Sequence, residues 1–135
     1  MQKAKTFLMF VGDQGGKAEE AIRLYTSLFP DSEIKKIDRW AEGEPTSVAG
    51  QVKVALFTLA GTEYMASENT AKHPFTFTPA ISIFIECKDE YEITRFHTEL
   101  SKDGKELMPL DNYGFSKKFC WIEDRYGVSW QLNLA

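Results

Sequence analysis

Histidine and cysteine are scarce in this chain, with two of each in 135 residues. Cys87 and Cys120 lie in apolar, strand-like runs without C-x-x-C spacing. They read as buried small hydrophobes, with a reactive thiol as the alternative. His73 precedes Pro74 in a polar stretch and His97 falls in a helical pattern, so both read as surface or loop imidazoles. Positive charge is also short: 16 Lys and Arg against 20 Asp and Glu give a net charge of −4. Nucleic-acid binding needs concentrated Lys and Arg, so that partner class is not expected. The pairs Lys35-Lys36 and Lys117-Lys118 have acidic neighbours and read as solvated surface. No apolar run approaches the roughly 20 residues of a membrane span. The N-terminus also lacks the apolar core and small-residue cleavage site of a signal peptide. The expectation is a cytoplasmic protein with no membrane partner.

What is present is a soluble, globular composition, 43% apolar and 27% charged. The length fits one domain, and a chain of this size buries enough surface to fold without disulfides or metal. Thr6 to Val11 reads as a strand. In Lys17 to Phe29 the apolar residues Ala18, Ala21, Ile22, Tyr25, Leu28 and Phe29 follow a helical period, and Pro30 stops the helix. Strands follow at Glu33 to Trp40, Val52 to Leu59 and Glu63 to Ser67, the last two joined by a tight turn at Ala60-Gly61-Thr62. Ala41 to Gln51 reads as a loop.

The order then repeats. Ala80 to Cys87 reads as a strand. Asp89 with Glu92 makes a capping box for a helix carrying Ile93, Phe96 and Leu100, and Gly104 ends it. A short strand near Leu107 and a hairpin over residues 119–133 complete the second half. The helices align at a constant separation of 71 residues, Ile22 to Ile93, Tyr25 to Phe96 and Phe29 to Leu100. The first strands align at 76, Thr6 on Ser82. The expected fold class is therefore α+β, two βαβββ modules over about 1–68 and 80–135 with a linker at about 69–79. The helices cover one face of each mixed sheet, and the other faces meet across a cleft or meet a partner subunit. In the last strand Val128, Trp130, Leu132 and Leu134 point one way, toward the helices; Ser129, Gln131 and Asn133 point the other way. Such a polar strip suits a small-molecule site, or is simply hydrated.

The residues Ala18-Glu19-Glu20-Ala21-Ile22-Arg23-Leu24-Tyr25, Leu28-Phe29-Pro30, Phe75 to Ser82, Met108-Pro109-Leu110 and Asp124 to Trp130 carry a resemblance over nearly the whole chain. The chain resembles the vicinal-oxygen-chelate superfamily, the glyoxalase, bleomycin-resistance and dioxygenase group. Within it, the closest likeness is to the PhnB-like branch labelled 3-demethylubiquinone-9 3-methyltransferase. In that superfamily the closing hairpin turns at Asp-Pro-x-Gly and returns with a metal-binding glutamate. Here the turn is Asp124-Arg125-Tyr126-Gly127 and the glutamate position holds Gln131. The resemblance places the four metal positions at Thr6, about Ala66, Ser82 and Gln131. None is His, Asp or Glu, and a divalent transition metal needs such donors, so no metal is expected. Glu68 is the one carboxylate near them. The resemblance also implies a homodimer.

A methyl donor usually sits at a glycine-rich turn on a parallel sheet. The stretch Gly12-Asp13-Gln14-Gly15-Gly16 lacks G-x-G-x-x-G spacing and no parallel βα units follow, so no cofactor is expected. Its N–H groups could hold an anion at the helix start, or it is a plain loop. No nucleophile–base pair is evident, because Ser82 and Ser129 lack a neighbouring histidine, and catalytic residues stay unassigned. The expected site for a small, neutral, mostly apolar molecule comprises Thr6, Ala66, Ser82, Phe84, Trp121, Ser129 and Gln131. Trp130 belongs to the core, while Trp40 and Trp121 could pack there or stack a ligand. The alternative is an enzyme of lyase, isomerase or transferase type with a non-standard or displaced metal site.

Overall fold

The structure, a computed structural model, describes residues 1–135. The chain divides into two compact units, Met1–Thr76 and Phe77–Ala135. The boundary falls inside the expected linker, whose residues 69–79 carry no helix or strand.

The first unit runs β1 (Thr6–Phe10), a 3-10 turn (Gly12–Gln14), α1 (Ala18–Leu28), β2 (Glu33–Arg39), β3 (Val52–Leu59) and β4 (Thr62–Glu68). Its four strands lie in the order β1-β4-β3-β2, with β1 parallel to β4 and the other pairs antiparallel. The second unit runs β5 (Ile83–Glu86), α2 (Glu90–Ser101), β6 (Lys105–Asp111), β7 (Lys118–Glu123) and β8 (Ser129–Leu134). Its order, β5-β8-β7-β6, repeats the first, again with one parallel pair, β5 with β8. The α+β class and the paired βαβββ modules therefore stand.

Helix periodicity decides the packing of both helices. In α1 the buried residues are Ala18, Ala21, Ile22, Tyr25 and Leu28; in α2 they are Ile93, Phe96 and Leu100. Each fully buried large side chain contributes about 1.5–3 kcal/mol of transfer free energy, so this stripe holds each helix on its sheet. The caps differ. Asp89 accepts the Glu92 N–H at 2.8 Å, as a capping box requires, but the Glu92 carboxylate reaches the Lys88 N–H (3.0 Å) and not that of Asp89. At α1 the N-cap is Lys17, which offers no side-chain acceptor. A residue distant in sequence replaces it: Glu68, at the end of β4, accepts from Gly16 N–H (2.6 Å) and Ala18 N–H (3.3 Å) through Oε1 and from Val52 N–H (2.7 Å) through Oε2.

The turns follow backbone chemistry. Ala60 and Gly61, both at positive φ (48° and 83°), join β3 to β4 in the geometry of a two-residue hairpin. Gly104 is needed for space: an added Cβ would lie 2.3 Å from the Glu123 carbonyl oxygen. The helix before it ends at Ser101, so Gly104 is a close-approach residue at the start of β6 and does not itself stop α2. β5 is shorter than the expected 80–87 run, because Thr78 to Ile81 forms a turn, with Ile81 N–H bonded to Thr78 O (3.4 Å).

Candidate functional site

Residue pairing fixes what each strand of the second sheet shows. Trp130 and Leu132 of β8 are fully buried and pair with Ile83 and Ile85 of β5 and with Ile122 and Cys120 of β7. They form the face that α2 covers. By the period of two, Ser129, Gln131 and Asn133 share the opposite face with Phe84 and Glu86 and with Glu123, Trp121 and Phe119. The central row across this face reads Phe84, Gln131, Trp121, Met108.

Four of the expected site residues are joined there by hydrogen bonds. Trp121 Nε1–H donates to Ser129 Oγ (2.9 Å), the Ser129 and Ser82 hydroxyls share a bond of 2.7 Å, and Gln131 Nε2 donates to Ser82 Oγ (3.4 Å). Phe84, 52% exposed, stands beside Gln131 in the pairing register. Trp121 is thus positioned by its indole N–H, with its ring edge on the polar chain. Trp40 is a structural clamp in the first unit: its indole N–H donates to the Glu68 carbonyl (2.7 Å), and Lys53 Nζ lies 5.1 Å from its ring centroid.

The two expected residues of the first sheet are corrected. The Glu68 side chain reaches the start of α1, so Glu68 and, by alternation, Ala66 and Tyr64 face the helix. Ala66 is fully buried and pairs with Leu8 and Ala55, and Thr6 pairs with Tyr64 in the same alternation. Thr6 and Ala66 therefore belong to the helix-covered side, while Ser82 and Gln131 lie on the opposite side of their own sheet. The reason is register. Aligning Thr6 with Ser82 is one residue out, and a one-residue slip moves every side chain to the other face. The residues of the first sheet that do face away from its helix include Phe7 and Met9 of β1, Met65 and Ser67 of β4 and Leu56 of β3.

The carboxylates are also redistributed. Glu68 is buried and both of its oxygens accept backbone N–H groups. Its Oε1 fills the place an anion would take where the Gly12–Gly16 turn enters α1, so that turn is neither a plain loop nor an open anion site. Sequence reasoning missed Glu123 and Glu86, which share the face of Gln131; strand alternation back from Trp121 and Phe84 was the signal that could have found them. His97 lies against Glu106, which pairs with the helix-facing Ile122, so it belongs to the other side of the sheet from the polar strip. The His73 ring packs on Phe75, centroids 4.8 Å apart. Burial pushes the thiols of Cys87 and Cys120 up to about 12, so both stay protonated at neutral pH and behave as packing groups.

The donor chemistry does not fit the metal ion of the superfamily. At the matching positions of the second sheet stand a serine hydroxyl and a neutral amide bonded to each other. No three or more His, Cys, Asp or Glu side chains come together anywhere in the chain.

The strand order and paired modules are those of the glyoxalase-type fold. A glyoxylase/bleomycin resistance protein/dioxygenase domain from Frankia sp. EAN1pec is 12% identical, with 100% of this chain and 98% of that one covered at a TM-score of 0.65. Protein PA1353 from Pseudomonas aeruginosa is 22% identical, with 99% and 98% covered and a TM-score of 0.83. Both likenesses are of fold. The chain has the glyoxalase-type, vicinal-oxygen-chelate fold. More narrowly, the family model for 3-demethylubiquinone-9 3-methyltransferase matches residues 2–133, and the chain belongs to that family, the PhnB-like branch. The PhnB protein from Bacillus cereus is 52% identical, covering 99% of this chain and 100% of that one, with a TM-score of 0.92. No curated protein matches the chain.

Proposed function

We propose that this PhnB-like protein binds a small, neutral, mostly apolar molecule, without a metal ion, on the face of the second sheet that points away from α2. The observation that carries this reading is the hydrogen-bonded chain Trp121–Ser129–Ser82–Gln131 beside the exposed Phe84 ring. Neutral groups that donate and accept can orient a ligand, and an aromatic ring supplies contact area. The family name speaks of methyl transfer. The glycine-rich turn offers no support for a methyl-donor site, since the Gly16 and Ala18 N–H groups at the start of α1 already donate to Glu68.

The protein acts in the cytoplasm as a homodimer in this reading. Support comes from two free, buried cysteines and from the exposed apolar side chains Phe7 and Phe84 on sheet faces. No helix is long and apolar enough to cross a membrane.

The test pairs elemental analysis of protein purified without chelator with a thermal-shift screen of neutral metabolites. The expected result is less than stoichiometric Zn, Ni, Fe or Mn and at least one compound that stabilises the wild type. One metal per chain, or no stabilising compound, would overturn the reading. A second reading, an enzyme, is favoured by Glu123, a carboxylate on the same face and next to Ser129 in the strand pairing. Turnover of a screened compound that is lost in Glu123→Gln would establish it.

A further inference from the structure

One row of the same face has chemistry that the polar chain does not use. It runs Glu86, Asn133, Phe119, Asp111 across β5, β8, β7 and β6. The Asn133 side-chain oxygen is buried and has no hydrogen-bond donor. Leaving a buried acceptor unmade costs about 1–3 kcal/mol, and native structures keep few of them. Next to it stands Phe119, 7% exposed although it points away from the helix.

Two rings from the β6–β7 loop lean on Phe119. Phe115 meets it edge-on at 5.1 Å and Tyr113 at 6.2 Å, and Tyr113 and Phe115 lie nearly parallel, 15° apart. Both loop rings are exposed, Phe115 at 64%. The loop is built to hold them there. The Tyr113 hydroxyl donates to the Pro109 carbonyl, Asn112 Oδ1 accepts the Gly114 N–H (2.8 Å), and Gly114 takes a φ of 97° that other residues rarely adopt. Exposed rings fixed by a turn are contact area paid for in advance.

We infer that Asn133 and the Tyr113, Phe115 and Phe119 rings form a subsite for a flat aromatic ring that carries a neutral N–H or O–H donor. The rings supply a stacking surface and the Asn133 oxygen accepts the donor. Glu86 and Asp111 flank the row on both sides, so an anionic group is disfavoured. This inference rests on the proposed binding face and names the class of ligand it takes.

Three probes with one ring system test it: 2-naphthol, 2-methoxynaphthalene, whose donor is masked, and 2-naphthoate. Binding is followed by NMR on the Asn133 side-chain amide and the Trp121 and Gln131 side-chain N–H signals. In the wild type, 2-naphthol binds roughly fivefold tighter than 2-methoxynaphthalene, and 2-naphthoate binds weakest. Asn133→Leu abolishes the preference for 2-naphthol. Asn133→Asp, which keeps size and shape, retains 2-naphthol and weakens 2-naphthoate further. Phe115→Ala, at an exposed position, weakens both neutral probes alike.

Equal binding of the two neutral probes to the wild type, with Trp121 and Gln131 shifted, overturns the subsite and leaves the binding face standing. Probes that move no signal on this face overturn both. A Phe115→Ala variant that changes only the mass of the protein in solution assigns the rings to an interface and overturns the subsite as well.

Discussion

The two sheets share a strand order and differ most on the face that no helix covers. Where α1 or α2 covers them, both are mainly apolar: Leu8, Phe10, Phe57 and Ala66 in the first, Ile83, Ile122, Trp130 and Leu132 in the second. On the other side the central row is Phe7, Met65, Leu56 in the first sheet and Phe84, Gln131, Trp121 in the second. Burial against a helix leaves little chemical freedom, because an unpaired polar group there is costly. The uncovered face is under no such rule. The duplicated scaffold has kept its core twice and placed the hydrogen-bonded chain Trp121–Ser129–Ser82–Gln131 in one copy.

The copies also each use a buried carboxylate as a tie, in different places. In the second unit Asp124 accepts from Tyr126 N–H (2.9 Å) and Val128 N–H (3.0 Å) through Oδ1 and from Trp130 Nε1 (2.9 Å) through Oδ2. It closes the β7–β8 turn and gives the buried indole its partner, as a buried Trp requires. In the first unit Glu68 ties the ends of β4, α1 and β3.

The sharpest way to break this comparison is to remove the ties. Asp124→Ala leaves buried N–H groups without an acceptor and is expected to cost about 3–5 kcal/mol in urea unfolding. A loss below about 1 kcal/mol, the size of an ordinary substitution, would mean that the β7–β8 turn holds itself. Glu68→Ala should cost about 2–4 kcal/mol. Hydrogen exchange should then speed up at the Gly16, Ala18 and Val52 amides while the second sheet keeps its protection. Equal loss in both sheets would show one cooperative tie in place of two.

The difference between the uncovered faces is tested more gently. Gln131→Leu should leave unfolding within about 0.5 kcal/mol of wild type and weaken any ligand found by thermal shift by about 1–3 kcal/mol. A ligand that stabilises both proteins equally does not touch this strip.

The smallest effect belongs to the surface. Arg39 and Arg23 hold the Glu19 carboxyl down to about 2, chiefly through hydrogen bonds from their guanidinium groups. A lowered carboxylate stabilises the folded state above its unfolded value near 4.5 and loses that contribution as pH falls toward 2. For so exposed a cluster the contribution is under about 1 kcal/mol. The stability gap between wild type and Glu19→Gln should therefore be present at pH 6 and close between pH 4.5 and 2. A gap that persists unchanged to pH 2 would remove the cluster from the account of α1.

The fold was legible because helix and strand periods, Pro30, Asp89 and the Ala60-Gly61 turn are local signals. The facing of the second-sheet candidate residues was legible for the same reason: alternation along β8 separates Trp130 from Gln131 without any knowledge of partners. The first-sheet residues Thr6 and Ala66 failed because their placement needed the register between halves, and two weakly similar strands do not carry it to one residue. Glu68 and Asp124 were hidden differently. Their partners are chiefly backbone amides, which no side-chain pattern announces, and for Glu68 they lie as far as 52 residues away.

Cys87 and Cys120 belong to the helix-covered side of the second sheet, and their raised thiols react slowly. The wild-type chain is therefore a nearly silent background for thiol labelling. A single cysteine introduced at Phe84 or Phe115, both open to solvent, would take a fluorophore alone. The protein would then carry an optical reporter for whatever settles on its polar face.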